Sequence, residues 1–234
     1  MYQNREEHMS FRTVYGYDWS ENGWRMCNRD ECDIVKLPEL YLVDTAPLRK
    51  GAPLTILGAW IYWYDRNVEE IFTPVWGWSA TNDVANSNHL SGTAVDICAP
   101  KYPWKRYTMT ADKIAKVRQG LDLFEGTVFW GRKWGETGVG SPDEMHYQMA
   151  FREGDARNEA FAKKLKDGYL GIYKAPPPVV TPPAPALDPI ARHQKFLKEA
   201  TERELLVYIA EQLGPGHPDW ASKGKTVRDK VFGL

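Results

Sequence analysis

Cysteine is scarce in this chain. Cys27, Cys32 and Cys98 are too few for a disulfide framework, and the odd count leaves at least one thiol unpaired. All three are expected as reduced thiols in the native compartment. Long apolar runs are missing as well: no stretch reaches the ~20 residues needed to span a bilayer, so no insertion into a membrane is expected. The opening residues Met1 to His8 are polar and no apolar run follows them. A secretory signal is therefore not expected, and the chain is expected to be made in a cytoplasm. An excess of either charge is also absent. Thirty basic residues stand against 31 acidic ones, a formal net charge of −1, which gives no support for binding nucleic acid by bulk charge. Histidine is rare, with five in 234 residues, so the surroundings of each one carry information.

Two of those five sit among other metal-binding residue types. In Ser87-Asn88-His89-Leu90-Ser91-Gly92-Thr93-Ala94-Val95-Asp96 a histidine and an aspartate stand seven positions apart. Fully extended, seven residues span roughly 23 Å, whereas two donors on one zinc ion lie only a few ångströms apart. If both bind one metal, the chain must fold back between them, and Ser91-Gly92 can supply the bend. Thr93 to Ile97 is rich in β-branched residues and reads as a strand bearing Asp96. Further on, Ser141-Pro142-Asp143-Glu144-Met145-His146-Tyr147-Gln148-Met149 offers a third ligand, His146, at the start of a second strand, with two carboxylates just before it. Two nitrogens, one carboxylate and an open corner make a catalytic zinc site. A nearby carboxylate that does not bind the metal can take a proton from its water.

The pattern His-x-x-Gly-x-Ala-x-Asp, followed by an acid three positions before a histidine, resembles the LAS-type zinc D-Ala-D-Ala peptidases. These include VanY- and VanX-type carboxypeptidases, phage L-alanyl-D-glutamate endolysins and the hedgehog N-terminal domain. The matching residues are His89, Gly92, Ala94 and Asp96, then Asp143 and His146. Ser87 matches a serine that usually stands two before the first ligand and is expected at the substrate. The resemblance, over about residues 45–155, implies zinc held by His89, Asp96 and His146. It implies Asp143 as general base, with Glu144 as the alternative if the local register differs. It further implies peptidoglycan as substrate and action on the cell wall after release from the cytoplasm, as in an endolysin. One departure stands out. The family usually carries an arginine in the strand before the first motif, and Pro74-Val75-Trp76-Gly77-Trp78-Ser79-Ala80-Thr81 has none; Arg66 or Ser79 are the substitutes to consider. Two other readings stay open: a cysteine peptidase with Cys98 as nucleophile and His146 as base, and a zinc-stabilised wall-binding module without activity.

The expected fold is α+β, a small antiparallel sheet carrying Asp96 and His146 packed by helices. Three spans follow: a zinc peptidase domain over 1–173 with an N-terminal wrap, a proline-rich linker over 174–189, and a small helical module over 190–234. Pro53 at a first helical turn and an apolar stripe of Leu54, Leu57, Ile61, Tyr64 and Val68 predict a helix over 52–68. Further helices are predicted at 111–124, with Thr110 as N-cap, and at 154–168; strands are predicted at 74–78 and 127–130. Gly131 to Pro142 reads as a glycine-rich loop. Ten tryptophans and twelve tyrosines read first as core and second as a groove for a sugar-peptide polymer. In the tail, Thr201 and Glu204 form a capping box ahead of Leu205, Leu206, Ile209 and Leu213, and Thr226 starts a second short helix. With eight basic and six acidic residues the tail leans toward anionic wall polymers.

Overall fold

The computed structural model describes residues 12–36, 46–173 and 189–206. Short strands β1 (Cys32–Ile34) and β2 (Pro47–Arg49) form an antiparallel pair. A second antiparallel sheet has the order β3 (Ala94–Asp96), β5 (His146–Met149), β4 (Val128–Trp130). Helices α1 (Ala52–Asn67), α2 (Ala111–Leu123), α3 (Arg132–Glu136) and α4 (Ala156–Lys166) complete the main body, and α5 (Pro189–Glu199) follows the proline-rich stretch. The architecture is the expected α+β one. The linker from 174 to 188 and the second tail helix from Thr226 lie outside the described residues.

Helix α1 is the spine of the core. Its N-terminus carries Pro53, whose missing amide costs nothing there. It is apolar almost all round: eleven of its sixteen residues are buried, which a helix walled in on several sides requires. It packs on α4, α2 and the central strand β5. Trp60 is fully buried, with its ring 5.4 Å from Trp63, 5.1 Å from Phe124 and 5.1 Å from Tyr147. Such a cluster is worth more than its area alone, and truncating Trp60 to alanine costs about 3–5 kcal/mol. Gly120 lets α2 lie flat on this cluster, because a Cβ there would run into the Trp63 ring. The core reading of the aromatic residues therefore holds for Trp60, Trp63, Tyr64, Trp130 and Tyr147.

Three expectations change in detail. Thr110 occupies the N-cap of α2, but its side chain makes no capping hydrogen bond to the helix backbone. The stretch 74–78 is not a full strand: only Trp76 bridges to Asp96, through Trp76 N–H to the Asp96 carbonyl (3.1 Å) and Asp96 N–H to the Trp76 carbonyl (2.8 Å). The glycine-rich loop contains a short helix, α3, whose Trp134 packs at a tilt against Phe129 with ring centres 5.4 Å apart. In the tail, the Thr201–Glu204 capping box forms as expected, with Thr201 N–H on Glu204 at 2.8 Å and the return bond at 3.3 Å. Helix α5 before it was not foreseen. Its buried Phe196 stacks on Phe72 at 5.1 Å.

Candidate metal centre

The register of one strand pair explains why two of the candidate ligands meet. Asp96 on β3 and His146 on β5 are directly opposed across the antiparallel ladder, and opposed residues on one face bring their side chains within contact distance. The Trp76 bridge holds Asp96 from the other side. His89 arrives by a different route. It sits in a 3₁₀ turn, Asn88–Ser91, closed by Gly92 at φ 66°. A side chain at Gly92 would meet the Arg49 backbone nitrogen and the Cys32 Sγ at 2.9 Å, so glycine is demanded by space as well as by backbone angle. The expected bend before Asp96 thus forms, at Gly92.

The three side chains converge. His89 Nε2 lies 3.2 Å from Asp96 Oδ1 and 3.2 Å from His146 Nδ1, and His146 Nδ1 lies 3.0 Å from Asp96 Oδ1. All three residues are buried. Donors about 2 Å from a tetrahedral ion stand roughly 3.3 Å apart, so these spacings suit one small cation.

The outer hydrogen bonds decide what the inner atoms can do. His89 Nδ1 is 2.7 Å from the Gly77 carbonyl, which only accepts, so Nδ1 carries the proton and Nε2 presents a lone pair inward. His146 Nε2 is 3.0 Å from Gln148 Oε1, so its proton sits there and Nδ1 presents a lone pair inward. Two lone pairs and a carboxylate oxygen then face one another with no donor between them. That arrangement demands a positive charge at the centre, and the nitrogen and oxygen donors suit zinc. Oriented outer protons of this kind also fix ligand tautomers in metal sites. With no ion between them the same atoms would draw in a proton instead, and the shifts run in that direction. Burial pushes the Asp96 carboxyl up, yet His89 and His146 together hold it well below the ordinary value. Burial pushes His146 down, but Asp96, Asp143 and Gln148 outweigh it and raise it to about 9.

Asp143 stands beside this cluster. Gly131 permits its approach: the Asp143 amide donates to the Gly131 carbonyl at 3.2 Å, and a Cβ on Gly131 would meet the Asp143 carbonyl at 2.9 Å. The carboxylate is buried and its Oδ1 has no hydrogen-bond partner. Burial first, then the charge of Asp96, raise its pKa to about 7, against the pull of His146 and His89. Glu144 is a different kind of group. It is fully buried, accepts from the amides of Thr108 (2.5 Å) and Met109 (2.7 Å), and pairs with Arg132. Its oxygens are committed to holding the 108–109 segment, so it is not the free carboxylate.

Other expected residues are used differently. Ser87 is buried and its hydroxyl accepts the His89 amide, 3.3 Å away, as the cap of the turn. In this position it helps to hold His89 in place. Arg66 lays its guanidinium over Tyr62, 4.5 Å from the ring centre. Ser79 donates its amide to the His89 carbonyl at 3.2 Å, and its hydroxyl is buried without a partner. Cys98 turns into the core with φ 52°, and burial raises its thiol far above the usual range. Both His146 nitrogens are already engaged elsewhere, so His146 does not serve Cys98 as a base, which counts against the cysteine-peptidase route. Cys27 and Cys32 are both free thiols, 3.7 Å apart.

Gln148, Asn88 and Glu21 were missed from the sequence. Gln148 accepts from His146, and also receives the Asn88 side-chain amide at 2.6 Å. Its own Nε2 donates to Glu21 at 3.0 Å, which also takes Asn88 at 3.0 Å. The available signal was Gln148 two residues after His146 on a strand, hence on the same face.

Residues 80–149 match a family model described as D-alanyl-D-alanine carboxypeptidase. The matched stretch contains His89, Asp96, Asp143 and His146 together, and it ends on β5. No curated protein and no solved structure matches the chain.

Proposed function

We propose that this chain is a zinc peptidase that hydrolyses a peptide bond in peptidoglycan stem peptides or their cross-links. The observation that carries this reading is the convergence of three acceptor atoms at 3.0–3.2 Å inside a stretch that resembles D-alanyl-D-alanine carboxypeptidases. His89, Asp96 and His146 would hold the ion. A bound zinc supplies a Lewis acid that acidifies a water and polarises a carbonyl. Asp143, buried and with an oxygen unengaged, takes the proton of the attacking water and returns it to the leaving amine. Gln148 and the Gly77 carbonyl keep the two imidazoles in the tautomers that face inward. The Ser79 hydroxyl, buried and unpartnered next to the His89 turn, is the neutral donor available where related peptidases carry arginine.

An endolysin role belongs to the same proposal: synthesis in a host cytoplasm, then action on the wall after release. Its support is the family resemblance and the layout of a hydrolytic unit, a proline-rich spacer and a basic-leaning tail. Among the described residues no helix is long and apolar enough to cross a membrane. The test is digestion of purified peptidoglycan with product masses read by mass spectrometry. New amino termini that vanish with a chelator and return with zinc, while iodoacetamide leaves them unaffected, support the reading. Zinc binding without any new amino group would reduce the chain to a wall-binding module.

A further inference from the structure

A trough of about 550 Å³ opens alongside the metal cluster. Two of its lining residues connect it directly to His146: Gln148, 3.0 Å from His146 Nε2, and Trp134, whose ring centre is 5.2 Å from that of His146. The trough therefore lies one imidazole ring away from the cluster. Its size suits a short peptide segment. Trp134 and the highly exposed Val139 give it apolar surface.

Its charges are unevenly committed. Lys133 and Arg152 line it, both exposed, and neither makes a hydrogen bond or ion pair through its side chain with any described residue. Several other cations of the main body are paired, among them Arg49 with Glu153, Lys101 and Lys113 with Glu69, and Arg132 with Glu136 and Glu144. The one acid lining the trough, Glu21, is turned onto Asn88 and Gln148. Asp155 lies within electrostatic reach of Arg152, but Arg157 takes both its oxygens, at 2.9 and 2.7 Å. Two cations thus face the trough with no anion of their own.

We infer that Lys133 and Arg152 are specificity residues that recognise free carboxylates on the bound peptide. This rests on the reading that the adjoining cluster is the hydrolytic centre. A γ-linked glutamate leaves its α-carboxyl off the main chain, and a diaminopimelate residue carries a spare carboxyl. A wall stem peptide therefore offers two anions for two cations, whereas an amidated stem peptide offers fewer. Each guanidinium or ammonium gains a charge-assisted bond to the acid that the amide cannot match.

The test is calorimetric binding of a synthetic L-Ala-γ-D-Glu-diaminopimelate peptide and of its amidated form. The proteins are the full chain loaded with zinc and its variants K133Q, R152Q and K133Q/R152Q, with cleavage rates measured in parallel. Both side chains are exposed, so folding is not at stake. The wild type is expected to bind the free-acid form about tenfold more tightly than the amidated form. Each single variant loses part of that preference and the double variant all of it, with the amidated peptide bound equally by all four proteins. Equal binding of the two forms by wild type, or a preference surviving in K133Q/R152Q, overturns the inference. Cleavage of both forms without preference would overturn it and leave the proposed function standing. A binding preference with no cleavage of either form would support the trough and sink the peptidase reading.

Discussion

Asp143 and Glu144 are neighbours in sequence with opposite tasks in space, and exchanging each for a neutral residue should separate chemistry from stability. In Asp143→Asn the lost charge had no donor at Oδ1, and the amide oxygen can still accept from the Met145 backbone, so the fold should lose little. The melting temperature should stay within about 2 °C of wild type. Zinc should stay bound, and turnover on purified peptidoglycan should fall by about 10²–10⁴, the usual contribution of a positioned acid–base group. Glu144→Ala removes a carboxylate that is fully buried and takes the Thr108 and Met109 amides and Arg132. Breaking a buried pair by deleting one partner costs about 3–5 kcal/mol. Arg132 retains some exposure and can recover water, which favours the lower end, while the two orphaned amides favour the upper. At about 2–4 °C per kcal/mol for a domain of this size, about 4 kcal/mol is a drop on the order of 8–16 °C. Circular dichroism melts, atomic absorption for zinc and release of amino groups from wall material read the three quantities. The assignment fails if Glu144→Gln abolishes turnover while melting like wild type, or if Asp143→Asn cleaves normally.

Three further outcomes follow from the same geometry. Gln148→Leu removes the acceptor that fixes the His146 tautomer, so zinc affinity should weaken about 10–100-fold in a chelator competition; unchanged affinity would mean that the outer hydrogen bond does not matter. Gly92→Ala imposes about 1–2 kcal/mol of left-handed backbone strain plus contacts at 2.9 Å with Arg49 and Cys32. It should lower both the melting temperature, by several degrees, and zinc occupancy, and a variant with neither loss would show that the turn has room to spare. Glu69 concerns pH. Burial pushes its carboxyl up, but hydrogen bonds from Lys101, Lys113 and Tyr102 outweigh this and hold it below the ordinary 4.5. A depressed folded pKa gives stability that is present above the unfolded value and lost as pH falls through the folded one. The melting temperature should therefore decline more steeply below about pH 4.5 in wild type than in Glu69→Gln; parallel curves would deny Glu69 that role.

The sequence carried the local features well, because each has a local cause. The α1 boundaries follow from Pro53 and an apolar stripe, the bend at Gly92 from glycine's freedom, and the two ligand strands from β-branched and alternating residues. It also carried the three residues that converge, His89, Asp96 and His146, since residue types at fixed spacing single them out. What it did not carry depends on contacts distant along the chain. Asp143 and Glu144 are chemically equivalent in a string of letters; only the Thr108 and Met109 amides and Arg132, brought in from two other segments, tell them apart. Ser87 reads as a polar residue beside a site, and only the His89 amide reveals it as a cap. Helix α5 is amphipathic in its own sequence and starts on Pro189, but what its apolar face meets was not legible: Phe196 gains its burial from Phe72, far away in sequence.

The N-terminal wrap makes the same point about the site itself. The sequence over 11–45 reads as short aromatic pieces without chemistry, yet the described part, 12–36, ties together the two halves of the cluster. Asn22 N–H donates to the Asn88 side chain at 2.9 Å, beside the turn that carries His89, and Asn22 Nδ2 donates to the Met149 carbonyl at 3.1 Å, at the end of the strand that carries His146. Glu21 bonds Asn88 and Gln148 at once. Trp24 Nε1 reaches the Phe151 carbonyl at 2.8 Å, and Cys27 N–H the Leu90 carbonyl at 3.2 Å. Strand β5 and the His89 turn are joined through β3 and the Asn88–Gln148 bond, and this strap adds a third tie between them. A metal site tolerates little error in ligand spacing, so a segment with no candidate ligand of its own can still influence affinity. The stretch matched by the carboxypeptidase family begins at residue 80 and leaves the strap out. In this chain, then, the residues that adjust the centre and line its trough on one side lie partly outside the part that resembles known peptidases.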